Sequence, residues 1–588
     1  MKKYYFILSV IISLGILYGC NNLDYNEISV YDDEWVFNNE GEVSGMLGVV
    51  YAHVRHDMGD SYSGAMLASA TDESDFTYSL SSIHRYYNGA WSSVNAFSDT
   101  WVNSFSAIYS ANNFLEKLDK VFETLELYQH NVNQRPYVQM KRRFEMFPYQ
   151  ARFLRAYFHF ELAKTYGDVP LVTRTLTPAE ANELTRTPVQ EVFRFIVDEC
   201  NAIMEYLPIT YAEETGSHIG RINRPTVLAL KARTLLYAAS PLFNPENPRE
   251  AWRKAAIACK ELIDYAPYWE ITLSPLDEYD NLWGSRNHYE VPEIIWFRYA
   301  GNTSVYARYN YPVGFENTIG GNCPSQNLVD AYEYNNSAPA ALRGRTWPQA
   351  EAASILPDNP YENLDPRFAM TVARNGDTWP LVAPYNERPL ETFEGGRNAA
   401  PIVNATKTGY YLKKYVNGTN RVVNPTSPSQ YSWIVYRLSE FYLNYAEAMF
   451  NYMDGDATAT SDGILNMSAN DAVNVLRERV NMPLFGAETN GEVWKERYKR
   501  ERMVELAFEG HRFWDVRRWK TGAESFMQIK TITVNRTLVP GTDDQYNYAY
   551  TRGPVINRGQ WQDKYYLYPI PFSELRKAEG LTQNDGWQ

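Results

Sequence analysis

Apolar positions recur along most of the chain at intervals of three and four, the spacing that gathers side chains on one face of an α-helix. Phe147, Ala151, Leu154, Phe158 and Leu162 form one such row, and Phe153, Tyr157 and Phe160 form a second beside it. Two rows predict a helix covered on two sides, and Gly167 followed by Pro170 supplies its stop signal. The same spacing predicts helices over 42–56, 96–125, 226–239, 250–266, 433–452, 470–480 and 493–509, with a short one at 512–519. A further helix is expected to open at Thr187-Pro188-Val189-Gln190, read as a capping box with proline in the first turn, and to bury Phe193, Ile196, Cys200 and Ile203.

These elements come as consecutive pairs with small residues, such as Ala255 and Cys259, at close contacts. The pattern predicts a mainly α fold, a tetratricopeptide-like helical repeat array in which each pair buries its face on the next. From 267 to 431 the periodicity fails; Pro, Gly, Asn and aromatics dominate, with strand-like runs such as Glu293 to Phe297. This reads as a loop-rich insertion containing short β-hairpins. The expected division is an N-terminal helical part over 41–266, the insertion over 267–431, and a C-terminal helical part with irregular closing segments over 432–588. Together they make one integrated domain, 41–588. Within the first part, 59–95 is a long loop rich in Ser, Tyr, Gly and Asp, and long irregular segments in compact domains are often functional.

The start of the chain sets its destination. Lys2 and Lys3 precede a charge-free run, Tyr4 to Tyr18, then Gly19 and Cys20. A basic head, an apolar stretch and a small residue at the cut describe a signal peptide over 1–19; a membrane span needs about 20 apolar residues. Cysteine at the cut resembles the bacterial lipoprotein signal, which makes Cys20 the expected lipidation site and 20–40 a polar, lipidated tether. Several acyl chains, at ~0.8 kcal/mol per buried CH₂, hold a protein on a bilayer without a spanning segment. The net charge is −14 and no basic block stands out, which argues against a nucleic-acid partner. Cys200 and Cys259 sit in apolar stripes and read as small core residues; no metal-ligand spacing and no nucleotide fingerprint is present. No cofactor is implied.

Several blocks resemble the SusD/RagB family of outer-membrane lipoproteins of Bacteroidetes. They include ARFLRAYFHFELAKTYGDVPLV (151–172), GRINRPTVLALKARTLLYAAS (220–240), SQNLVDAYE (325–333), NLDPRF (363–368) and TGYYLKKYV (408–416). YRLSEFYLNYAEA (436–448), ERMVELAFEGHRFWDVRRW (501–519), YLYPIP (566–571) and LTQNDGW (581–587) follow in the family's order. The resemblance implies a surface-exposed lipoprotein of the outer membrane. It would bind oligosaccharide without cleaving it and deliver it to a SusC-like TonB-dependent transporter. Some relatives handle peptides, so a peptide-binding uptake lipoprotein stays open, as does a repeat scaffold that binds only protein. The motifs do not encode ligand identity.

The 46 tyrosines give many rings with an apolar face and a polar tip, suited to sugars. The loop from His84 to Trp91 offers flat rings, a guanidinium and an amide. The expected ligand platform centres on Trp91, with Tyr86, Arg85, Tyr87 and Asn88 beside it. Trp283, Tyr306, Arg308 and Tyr309 join from the insertion. No catalytic residue is expected. Asp72-Glu73 are sequence neighbours, and glycoside hydrolysis needs two carboxyls facing each other across a sugar. Asp365-Pro366-Arg367 reads as a structural ion-paired turn. Glu505, Glu509, Arg517 and Arg518 are expected to pair with one another near a helix end.

Overall fold

The computed structural model describes residues 36–587 apart from 38, 60, 97–99, 128–134, 212–219, 247, 285–289, 304, 316–317, 380–387 and 417–428. The apolar leader, Cys20 and the tether as far as 35 lie outside the described residues.

The apolar rows fold as their spacing dictates. Helices α1 (Glu40–Ala52), α2 (Thr100–Glu116), α3 (Leu118–Glu126) and α4 (Arg135–Tyr166) lead into α5 (Val189–Ile203), α6 (Arg224–Ala239) and α7 (Arg249–Tyr265). A short α8 (Pro366–Thr371) lies in the insertion. Then come α9 (Leu438–Tyr452), α10 (Ala469–Arg479), α11 (Gly491–Glu505) and α12 (His511–Arg518). Packing runs α1 on α2, α2 on α4, α4 on α5, α5 on α6, α6 on α7, α7 on α9 and α9 on α10, which is the repeat array the sequence predicts. α6 sits between α5 and α7 and buries residues on every side, from Val227 to Ala239. Its alanines let the neighbouring backbones come close. Cys200, Cys259 and Cys323 are buried free thiols.

Three expectations are corrected. Thr187 does not cap α5. Pro188 holds the cap position with no side-chain bond, and Asp168, in the turn after α4, accepts from the Val189 amide at 2.8 Å. Trp433 to Arg437 is not helical. It belongs to strand β4 (Ser429–Arg437), which pairs antiparallel with β2 (Ile294–Thr303) from the other end of the insertion. A run of β-branched and aromatic residues follows its pairing partner rather than the helix after it. The closing segment is not irregular. Strands β5 (Gln528–Leu538) and β6 (Tyr546–Asn557) form a long antiparallel hairpin. The remaining strands are short, and every sheet among the described residues has two strands; β1 (Ser74–Phe76) pairs with β3 (Asn322–Pro324).

A buried ion-pair network ties the insertion to the C-terminal helices. Arg437 at the end of β4 contacts Glu293, Glu505 and Glu509, each at 2.7 Å. Arg367 of α8 contacts Asp365, Glu501 and Glu505; Arg479 of α10 contacts Glu293 and Glu505; Lys414 contacts Glu509. Arg477 of α10 links Glu501 to Glu333, which also meets Arg497 and Arg500 of α11. The Asp365–Arg367 turn is thus ion-paired as read. The expected local pairing of Glu505 and Glu509 with Arg517 and Arg518 does not form. Arg518 pairs with Glu447 of α9 and with Asp515, and Arg517 lies over the Phe513 ring at 3.5 Å.

The 59–95 loop is clamped to the same C-terminal block. Asp72 takes both a 2.9 Å and a 2.8 Å bond from Arg512, and Glu73 accepts from the Phe508 amide at 3.0 Å. Trp91 closes the clamp. Its ring is 5 % exposed, stacks on Tyr565 at a centroid distance of 5.7 Å, and meets Tyr568 and Trp587 edge-on at 4.9 Å each.

Two outcomes follow from these contacts. Truncating a ring packed on four sides leaves a cavity, so Trp91→Ala is expected to cost ~3–5 kcal/mol in urea unfolding; a wild-type midpoint would take Trp91 out of the core. Burial pushes Glu73 up to about 8 from 4.5. Between those values the unfolded chain gives up its proton while the folded chain keeps it, so stability is lost as pH rises. Glu73→Gln keeps an acceptor for the Phe508 amide and removes that loss. Its melting temperature is expected to exceed the wild type's by more at pH 8 than at pH 5, and calorimetry showing equal shifts at both would refute the assignment.

Candidate functional site

Loop 59–95 and the start of the insertion meet over a polar hub, Asn322 of β3. Its side-chain oxygen accepts from the Met66 amide and the Ser69 hydroxyl at 2.9 and 2.7 Å; its amide donates to Gly64 O at 3.1 Å and Asn310 Oδ1 at 2.7 Å. The hub brings Tyr309 against the loop at a place only glycine permits. Gly64 has φ +96°, and a Cβ there would stand 2.2 Å from the Tyr309 ring.

From Tyr309 a line of half-buried rings follows the loop. Tyr78 lies 6.4 Å from Tyr309, centroid to centroid, with Phe76 buried beneath. Tyr78 O accepts from His84 Nε2 at 3.0 Å, which fixes the neutral tautomer with its proton on Nε2. His84 Nδ1 is therefore an acceptor, and the Tyr87 hydroxyl donates to it at 2.5 Å. Burial lowers the His84 pKa, and it pushes Tyr87 up to about 12. Both groups are neutral at pH 7. Arg558, just past β6, lies over the Tyr87 ring at 4.4 Å and donates to Asp75 Oδ1 and to the Thr71 and Ser74 carbonyls. The edge Tyr309–Tyr78–His84–Tyr87 stands on a foundation of satisfied bonds. Leu80, 78 % exposed, marks the loop tip.

The nine expected ligand residues divide sharply. Tyr87 and Tyr309 are half-buried members of the edge, and Asn88 and Arg308 are exposed. Arg85 is half-buried and donates to Asn95 Oδ1 at 3.0 Å. Trp91, Tyr86, Trp283 and Tyr306 are buried, which corrects their place in the platform, because no ring face is left for a sugar. Tyr86 bonds the Tyr62 and Tyr568 hydroxyls. Tyr306 donates to Met66 Sδ at 3.3 Å. Trp283 lies under Lys414 Nζ at 3.9 Å, beside the ion-pair network rather than the loop. The sequence reading missed Tyr78 and passed over His84. Their signal was present, a tyrosine and a histidine six residues apart in a polar loop, but their pairing depends on the turn between them.

The edge offers ring faces and the oxygen of the Tyr87 hydroxyl, and Arg308 is exposed next to Tyr309 in the chain. The carboxylates nearest to it are committed elsewhere: Asp72 to Arg512, Glu73 to a backbone amide, Asp75 to Arg558. The arrangement can stack on and hydrogen-bond a hydroxylated ligand.

Comparison with known proteins places the chain. The sequence profile described as the SusD family matches residues 292–587, and one described as starch-binding, associating with outer membrane, matches 23–236. SusD-like protein P2 of Formosa agariphila is 23% identical, over 100% of this chain and 99% of that protein. A SusD-like protein of Bacteroides fragilis shares the fold with a TM-score of 0.73 at 23% identity, covering 95% of this chain and 99% of that one. A SusD-like carbohydrate-binding protein of the same species does so at 0.69 and 22%, covering 93% and 100%. The first profile alone spans just over half of the sequence, and the chain belongs to the SusD family.

Proposed function

We propose that the protein is an outer-membrane lipoprotein that holds oligosaccharide chains, without cleaving them, on the edge Tyr309–Tyr78–His84–Tyr87 and passes them to a SusC-like TonB-dependent transporter. The single observation that carries this reading is the edge itself: three half-buried tyrosines and a histidine that neighbour one another, Tyr78 beside Tyr309 and His84 bonded to Tyr78 O and the Tyr87 hydroxyl. Sugar C–H faces cover flat rings, while the Tyr87 hydroxyl oxygen, still able to accept, and the exposed Arg308 replace hydrogen bonds that the hydroxyls lose on leaving water. Each one left unmade costs about 1–3 kcal/mol. Rings already held in place lose little entropy on binding. Family membership, the outer-membrane description of the N-terminal profile and the carbohydrate-binding relative support the reading. The Cys20 signal supports export and the lipid anchor.

The test is calorimetry on the full-length protein in detergent, after a glycan array has supplied a ligand. Truncating one hot-spot ring costs about 2 kcal/mol, roughly thirtyfold in affinity. Tyr309→Ala is expected to bind at least tenfold more weakly than the wild type, with helical circular dichroism retained. Unchanged affinity would remove the edge from the site, and binding of peptides but no glycan would overturn the sugar reading.

Anchoring and partnership are checked separately. Cys20→Ala is expected to move the protein from the membrane to the soluble fraction, and gentle-detergent purification of the wild type to recover a transporter barrel. Continued acyl labelling of the variant, or elution of the wild type alone, would count against each in turn.

A further inference from the structure

The buried ion-pair network has an uneven charge count. Seven cations, Arg367, Lys414, Arg437, Arg477, Arg479, Arg497 and Arg500, share six carboxylates, Asp365, Glu293, Glu333, Glu501, Glu505 and Glu509, among the described residues. The surplus falls at the outer end, on α11. Glu333 already accepts from Arg477 Nη2 at 2.7 Å, and from Arg497 Nε and Nη2 at 3.2 and 2.9 Å. Arg500 is left with its Nη2 at 3.6 Å from Glu333, beyond hydrogen-bond distance. Its Nε is sealed from water without an acceptor among the described residues. Burial lowers the Arg500 pKa even with Glu333 beside it.

Arg500 and Arg497 line an open depression of about 900 Å³ between α11 and the short helix Trp347–Ala352. Arg345 stands exposed on the opposite rim without a carboxylate partner among the described residues. The two acids there, Glu492 and Glu496, are exposed and paired with Lys495 and Lys499; Glu496 also attracts Arg500 from the solvent side, a weaker, screened contact. We propose that this depression is an oxyanion site, in which Arg500 and Arg345, steadied by Arg497, hold a sulfate- or phosphate-type group. Guanidinium forks match such groups with paired N–H···O bonds. The bound oxyanion balances the surplus charge and gives the Arg500 Nη groups the close acceptor that Glu333, 3.6 Å from Nη2, does not. The inference does not depend on the ring edge, which uses other elements of the fold.

The experiment titrates sodium sulfate and sodium phosphate into the full-length protein in detergent, by calorimetry and thermal unfolding, against sodium chloride at equal ionic strength. Saturable binding with a raised melting temperature is expected. Arg500→Gln should weaken it at least tenfold and Arg345→Gln several-fold, while Lys577→Gln, on a different surface, leaves it unchanged. No saturation beyond chloride, or equal affinity in both arginine variants, overturns the proposal. Should Arg500→Gln fail to fold, the exposed Arg345→Gln decides alone. Competition by a sulfated oligosaccharide against the inorganic ion then separates an anion carried on a glycan from a free one.

Discussion

The contact on which the rest of the structure depends is that of Arg437 with Glu293, Glu505 and Glu509. It joins the two most distinctive sequence blocks, 436–448 and 501–519, as halves of one buried assembly. Along the same seam Asn444 accepts from Arg502 at 2.7 Å, and Glu447 accepts from Arg518, from Trp519 Nε1 and from the Tyr498 hydroxyl. Burying so many charges carries a desolvation cost that only good geometry offsets, while removing one partner strands the others at a cost of about 3–5 kcal/mol. Such an assembly tolerates few alternative arrangements. It fixes where β4 ends, where α9 begins and how α11 lies against both.

The same contacts bind the insertion to the helices. Glu293 immediately precedes β2, Arg367 lies in α8 and Lys414 in the segment after the strand Tyr411–Leu412. The insertion has little regular structure of its own to hold it in place, and its second apolar cluster, around Tyr311, Trp379 and Tyr411, is small. Charge pairing adds to apolar burial there, since insertion residues such as Tyr332, Trp347, Phe368 and Tyr410 belong to the main core.

The ring edge inherits this rigidity. Among its described residues loop 59–95 holds only one short strand and single helical turns, yet its floor is pinned by Asp72, Glu73, Asp75 and the Asn322 hub. Ordering entropy of the loop is met during folding rather than at binding. A surface proposed to meet long, flexible chains gains most from that division.

Periodicity alone determined the helical array, because a two-sided apolar stripe such as 147–162 leaves a helix no other way to leave water. The expected address was also local, read from Lys2 to Cys20. Tertiary structure decided the rest. Trp91, Tyr86, Tyr306 and Trp283 look like exposed loop aromatics, yet nothing in their neighbours' identity reveals which way an irregular backbone turns them; distant partners such as Tyr565, Tyr568 and Lys414 draw them inside. Asp168 rather than Thr187 caps α5 because the turn after α4 returns to it. The β5–β6 hairpin hid among alternating tyrosines and threonines that suit a strand and a loop alike. Glu505 and Glu509 passed over their sequence neighbours for Arg437 because a buried carboxylate goes to the donors that the fold encloses with it. Local sequence sets which faces are apolar; which charges and rings meet on those faces is decided by packing across the whole chain.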